Sequence, residues 1–160
     1  MNKDFLEFLT ALLRADARFL VVGAHAMAAH GVPRATGDLG VWVQPDPENA
    51  ERVWVALLEF GAPVQAIGLS KTDLVSPDMV CQMGVPPQRI DLLTSITGLE
   101  FDEAWSTRRL HRVDDLELPF LGRAALLQNK RATGRSKDLV DVEILQQQEK
   151  RWHTRKGRTL

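Results

Sequence analysis

Cysteine is nearly missing: Cys81 is the one thiol in the chain. A lone thiol closes no intrachain disulfide, and zinc sites built on several thiolates are excluded with it. No apolar run approaches the roughly 20 residues that a membrane-spanning helix requires. The start at Asn2-Lys3-Asp4 also lacks the charged-then-apolar order of a signal peptide, so the expected location is cytoplasmic, with no membrane partner. Internal repeats and low-complexity linkers are absent. So is a His-Glu-x-x-His zinc helix: His25 and His30 stand five residues apart, which suits packing or loop roles. Net charge is small as well, at −1, but unevenly spread. Residues 149–160 hold five basic groups against Glu149, a net of +4, which leaves −5 for residues 1–148. That balance argues against a globally basic nucleic-acid binder. The tail reads as a solvated end, with contact to RNA through phosphates and the ring of Trp152 as the other reading.

What is present is ordinary for one globular domain, with 44% apolar and 26% charged residues. Residues 1–148 are expected to form that domain and 149–160 a frayed basic tail. Periodicity alternates between helix and strand. Phe5, Leu6, Leu9, Leu12 and Leu13 share a helical face, and residues 19–22 form a continuous apolar run of buried-strand type. Residues 24–29 suit a short helix that ends near Gly31, with Pro33 preventing continuation. Leu39, Val41 and Val43 alternate with Gly40 and Trp42, which predicts a strand with one face to the core and the other to an opening. Asp46 is an N-cap, Pro47 a first-turn residue and Gly61 a stop for a helix whose stripe is Val53, Trp54, Leu57 and Leu58. Further on, a short helix is expected near residues 71–75 and strands near 79–83 and 89–93. A short helix at 101–107 follows, then strands at 110–113 and 116–121 and a closing helical pair. Ser136 caps the second of that pair, with Leu139, Val140, Val142, Ile144 and Leu145 as its apolar positions.

The densest information lies in residues 19–43, where strand, tight turn, short helix and second strand surround one isolated carboxylate, Asp38. Gly23 ends the first strand, and backbone N–H groups at a helix start attract anions. Asp91 stands on the strand face opposite Ile90 and Leu92. If that strand neighbours the one carrying Asp38, the two carboxylates converge. This layout resembles the entrance to the active site of the DNA polymerase beta-like nucleotidyltransferases. The stretch His30-Gly31-Val32-Pro33-Arg34-Ala35-Thr36-Gly37-Asp38 is similar to that of a bacterial group related to abortive-infection and toxin-antitoxin systems. So are Arg89-Ile90-Asp91-Leu92-Leu93 and the set Lys130, Arg135, Asp138 and Asp141. Two positions depart from the pattern: Ala24 replaces a second small Gly or Ser, and Gly40 replaces the second acid of an Asp-x-Asp strand.

The resemblance implies an α+β fold with a small mixed twisted sheet, packed helices and a C-terminal helical pair. It implies transfer of a nucleoside monophosphate from a nucleoside triphosphate to an acceptor hydroxyl on protein or RNA. Asp38 and Asp91 would be the catalytic and Mg²⁺-binding residues, and Gly23, Ala24, Arg34, Thr36 and Lys130 the phosphate-binding ones. In an Asp-x-Asp strand both carboxylates project from one face, so Gly40 removes half of a two-metal clamp. A single magnesium delivered with the nucleotide remains feasible on two carboxylates. The alternative is an inactive relative that binds nucleotide or a partner protein. Asp138 and Asp141, beside Arg135 and Lys137, are expected to form an intrahelical ion-pair set.

Overall fold

The computed structural model describes residues 1–34 and 37–158, the last three by backbone alone. Six strands form one mixed sheet: β1 (Phe19–Val22), β2 (Leu39–Val43), β3 (Val80–Met83), β4 (Ile90–Leu93), β5 (Arg109–Val113) and β6 (Leu116–Phe120). Their order is β3-β4-β2-β1-β6-β5. β2 runs antiparallel to β1 and parallel to β4, and β1 runs parallel to β6. The outer pairs, β3 with β4 and β5 with β6, are antiparallel. All four residues of β1 are buried, as a central strand covered on both faces requires.

Two helices pack against each other in the first half of the chain. α1 (Lys3–Arg14) begins where the Asn2 side chain accepts a hydrogen bond from the Phe5 amide at 2.8 Å. Its buried stripe is Phe5, Phe8, Leu9, Ala11 and Leu12, while Leu13 is exposed. The inner face is therefore rotated from the expected one, because the Phe8 ring packs on Phe60 at 5.3 Å and takes the central place. α3 (Pro47–Phe60) has the expected ends: Asp46 accepts from the Asn49 amide at 2.7 Å, and Gly61 closes the helix at φ 83°. Its inner face is Asn49, Ala50, Val53, Ala56 and Leu57, with Leu58 turned out. Buried Asn49 is not wasted there. Its side chain accepts from the Arg18 amide and donates to the carbonyls of Arg18 and Gln44, satisfying the backbone of both strands at one end of the β1–β2 pair.

On β2 the side chains of Gly40 and Trp42 share a face by alternation. Trp42 is buried, edge-on to Phe101 at 5.1 Å, and with it forms part of the wall of a cleft of about 470 Å³. Phe101 belongs to α4 (Phe101–Ser106), which closes this end of the face and stacks Phe101 on Trp105. Burying an aromatic ring of this size stabilises by about 1.5–3 kcal/mol.

The chain closes with α5 (Arg123–Thr133) and α6 (Ser136–Arg158), joined through Gly134 in the left-handed conformation. α6 buries Asp138, Asp141, Val142 and Leu145, while Leu139 and Val140 are more than half exposed. Carboxylates thus occupy inner positions where an apolar stripe was expected, and ion pairs make this tolerable. Where a frayed tail was expected, α6 continues unbroken through residues 149–158, to Arg158. Among the described residues, no helix is long and apolar enough to cross a membrane.

Candidate active site

Parallel pairing of β2 with β4 sets Gly40 beside Asp91 and Leu39 beside Ile90. Asp38 lies two residues before Gly40, so Asp38, Gly40 and Asp91 occupy one face at the mouth of the sheet. Both carboxylates are about a quarter to a third exposed, at 31% and 23%. The convergence expected from the sequence is present, and what joins the acids is a residue that the sequence reading passed over. Arg89 places Nε 2.7 Å from one oxygen of Asp91 and Nη2 3.3 Å from an oxygen of Asp38. Its amide also donates to Asp38 Oδ1 at 3.1 Å. The signal was available: Arg89 stands two residues before Asp91, the strand spacing that puts two side chains on one side. The hydrogen bond to Asp91 raises the Arg89 pKa, and the charges of Asp91 and Asp38 add to it against some desolvation.

Gly40 is the position at which the sequence resemblance led to the expectation of a further acid. A Cβ there would lie 3.1 Å from Val22 Cγ2 and 3.4 Å from the Val22 carbonyl, so a side chain fits after a shift of a few tenths of an ångström. Two other glycines have stricter duties. Gly23 precedes α2 (Ala24–Ala29) with φ 72° and ψ −145°, a conformation that side-chain-bearing residues rarely adopt. Space above it is open. Gly37 runs so close to Pro87 that any Cβ would collide with the Pro87 backbone, which ties the approach to Asp38 onto the segment before β4.

Arg34 and Lys130, the side-chain cations expected at phosphate, stand in a different cluster. Lys130 Nζ lies 2.9 Å from Asp141 and 3.5 Å from Asp138, Arg34 pairs with Asp141, and Arg135 Nε lies 2.6 Å from Asp138. Lys137 takes no part among the described residues, so the set bridges α5, α6 and the loop before β2 rather than running along one helix. Burial pushes the Asp138 carboxyl up, but hydrogen bonds from Arg135 and Thr133 and the charge of Lys130 outweigh it and hold the group at about 2. Desolvation pulls Lys130 down, against the opposing pull of Asp138. Neither Arg34 nor Lys130 is a free cation. Thr36 lies outside the described residues.

Both early histidines pack. The His25 ring stands edge-on to Phe5 at 5.8 Å, and His30 Nε2 lies 2.8 Å from the Leu121 carbonyl oxygen. Burial is the main cause that holds each below the usual imidazole range. Among the described residues, no three His, Cys, Asp or Glu side chains gather as a metal site. Asp38 and Asp91 do fit as the protein's share of a single magnesium site, since magnesium takes one or two carboxylates and fills its octahedron with phosphate oxygens and water. They do not fit a two-metal clamp, which Gly40 leaves one carboxylate short.

No protein-family model matches the chain, and no curated protein sequence matches it. In three dimensions it is similar to a crystal structure from Thermotoga maritima described as a "putative nucleotidyltransferase", with a TM-score of 0.51 and 15% sequence identity. That match covers 94% of this chain and 91% of the other. With the mixed six-stranded sheet and its packed helices, it shows a nucleotidyltransferase-like fold.

Proposed function

We propose that the protein handles a nucleoside triphosphate at the Asp38–Asp91 mouth and moves its nucleoside monophosphate to an acceptor hydroxyl on protein or RNA. One observation carries the reading: the β2–β4 register brings two carboxylates from separate segments onto one open face beside the Gly23 turn. Backbone donors at Gly23 and Ala24 suit a phosphate there. Asp38 and Asp91 would hold a magnesium ion, which supplies neutralisation of the triphosphate and polarisation of the phosphoryl group. Arg89 holds the two carboxylates in register before substrate arrives, and its guanidinium suits phosphate once released from them. The likeness of residues 30–38 and 89–93 to the abortive-infection and toxin-antitoxin group supports a role in such a paired system.

A second reading, nucleotide or partner binding without turnover, is favoured by two particulars. Gly40 removes an acid, and Arg89 already pairs with the two that remain. Incubation with radiolabelled nucleoside triphosphates, Mg²⁺ and candidate acceptors decides between them. Transfer predicts labelling that Asp38→Ala abolishes and Gly40→Asp raises. Silence from both the unmodified chain and Gly40→Asp, combined with calorimetric nucleotide binding that Asp38→Ala removes, would establish the second reading. No nucleotide binding at millimolar concentration would remove both nucleotide readings.

A further inference from the structure

Away from the Asp38–Asp91 mouth, a cleft of about 590 Å³ opens between β5, the start of α5 and the last turns of α6. Arg109, Arg123, His30, Gln148, Trp152 and His153 line it. Its two arginines differ from those that the fold ties into ion pairs. Arg14, Arg52, Arg89 and Arg135 each have a carboxylate within 3.3 Å, whereas neither Arg109 nor Arg123 has a carboxylate partner among the described residues. Arg123 donates one Nη to the Leu145 carbonyl, yet its Nε is buried with no hydrogen-bond partner. An unmet buried donor on a charged group is costly, so it is a place where an acceptor is wanted. Glu149 is the one carboxylate on the lining, and it pairs with neither arginine.

Neighbouring features add hydrogen-bonding and stacking groups. An adjoining cleft of about 360 Å³ shares Arg109 and Arg123 and reaches the beginning of α5 at Gly122, which has no side-chain cap. His30 stands edge-on to His111, whose Nε2 is also buried without a partner. Trp152, 54% exposed, presents its indole at the rim. Guanidinium groups recognise phosphate oxygens by paired, charge-assisted hydrogen bonds, and an exposed indole offers a stacking surface to a base.

We propose that this cleft is a second binding site, sharing no residue with the Asp38–Asp91 mouth, and that it takes a nucleotide unit with phosphate at Arg109 and Arg123 and base against Trp152. A free mononucleotide and one unit of single-stranded RNA offer the same chemistry. Binding here does not depend on transfer at the other site.

Fluorescence anisotropy of the full chain with a fluorescein-labelled oligouridylate of about a dozen nucleotides, with AMP and inorganic phosphate as competitors, tests it. The strand is expected to bind, more weakly as salt rises. Arg109→Gln is expected to weaken binding about tenfold and to lower the salt slope by about one. Trp152→Ala is expected to weaken it about tenfold with the salt slope unchanged, in line with stacking on one base. Both residues are exposed, so both variants should fold. Displacement by AMP identifies a mononucleotide site, and a strand held against millimolar AMP identifies RNA. Asp38→Ala should leave all of this unchanged, which separates failure here from failure of the transfer reading. Absence of binding by both strand and AMP, equal binding by Arg109→Gln and Trp152→Ala, or displacement by phosphate as readily as by AMP would overturn the proposal.

Discussion

Two carboxylates on adjacent strands repel each other unless a cation sits between them, and at Asp38 and Asp91 that cation is the Arg89 side chain. The same guanidinium competes with any divalent ion for the same oxygens. Arg89→Ala should therefore raise affinity for Mn²⁺, used as a magnesium probe, by several-fold in a calorimetric titration, and Asp38→Ala in that background should remove the gain. Stability should change by less than about 1 kcal/mol, because all three groups are partly exposed and such pairs contribute little. Gly40→Asp acts at the same place from the other side. Its Cβ meets Val22 at 3.1 Å, close enough to require a small shift of a side chain and not of the sheet. A large loss of folding in that variant would mean that Gly40 is a packing glycine, with no bearing on the missing acid.

At the scale of elements, the α5–α6 pair depends on charge where most helix pairs depend on leucine. Asp138 and Asp141 are buried, and three cations from three segments surround them. Asp138→Asn should cost about 1–3 kcal/mol, since it weakens the charge-assisted bonds of a buried carboxylate to Arg135 and Lys130 while Lys130 keeps Asp141 at 2.9 Å, and urea denaturation at pH 7 measures this. A well-packed apolar pair in place of Lys130 and Asp138 would cost less than either single change. α3 offers a contrast within the same chain. Asp46→Ala removes one cap and should cost about 1 kcal/mol, whereas Asn49→Ala strips three hydrogen bonds from part-buried backbone at Arg18 and Gln44 and should cost more. These elements also show what the sequence made legible. Caps, glycine stops and strand alternation are local, so α3, β2 and β4 were readable from their own residues. The buried face of α6 was not, because Asp138 and Asp141 are polar letters whose burial depends on Lys130 and Arg34 elsewhere in the chain. Arg89 was likewise visible as a residue, but its bridging role needed the β2–β4 register.

For the whole molecule, acid should act in two stages. His25 and His30 are held below the usual imidazole value, mainly by burial. The unfolded chain therefore takes up protons first, and stability should decline once pH falls below about 6.5. Asp138 acts lower down: its depressed pKa supports folding fully above the usual carboxylate value, about 3.9, and that support is lost as pH falls toward 2. Denaturation midpoints at pH 8, 6, 5 and 3 should show both declines, and Asp138→Asn should flatten only the second. The basic end of α6 responds to a different test. Residues 149–155 are helical but exposed, so they add little to the core. A chain ending at Gln148 should keep the Gln148 side-chain bond to the Gly31 carbonyl at 2.9 Å and unfold within about 1 kcal/mol of the full chain, as expected for surface changes. The same truncation removes Trp152 and His153 from the Arg109–Arg123 cleft, so oligonucleotide affinity should fall while the fold persists. Should stability fall by several kcal/mol instead, the last turns of α6 would belong to the domain's core rather than to its binding surface.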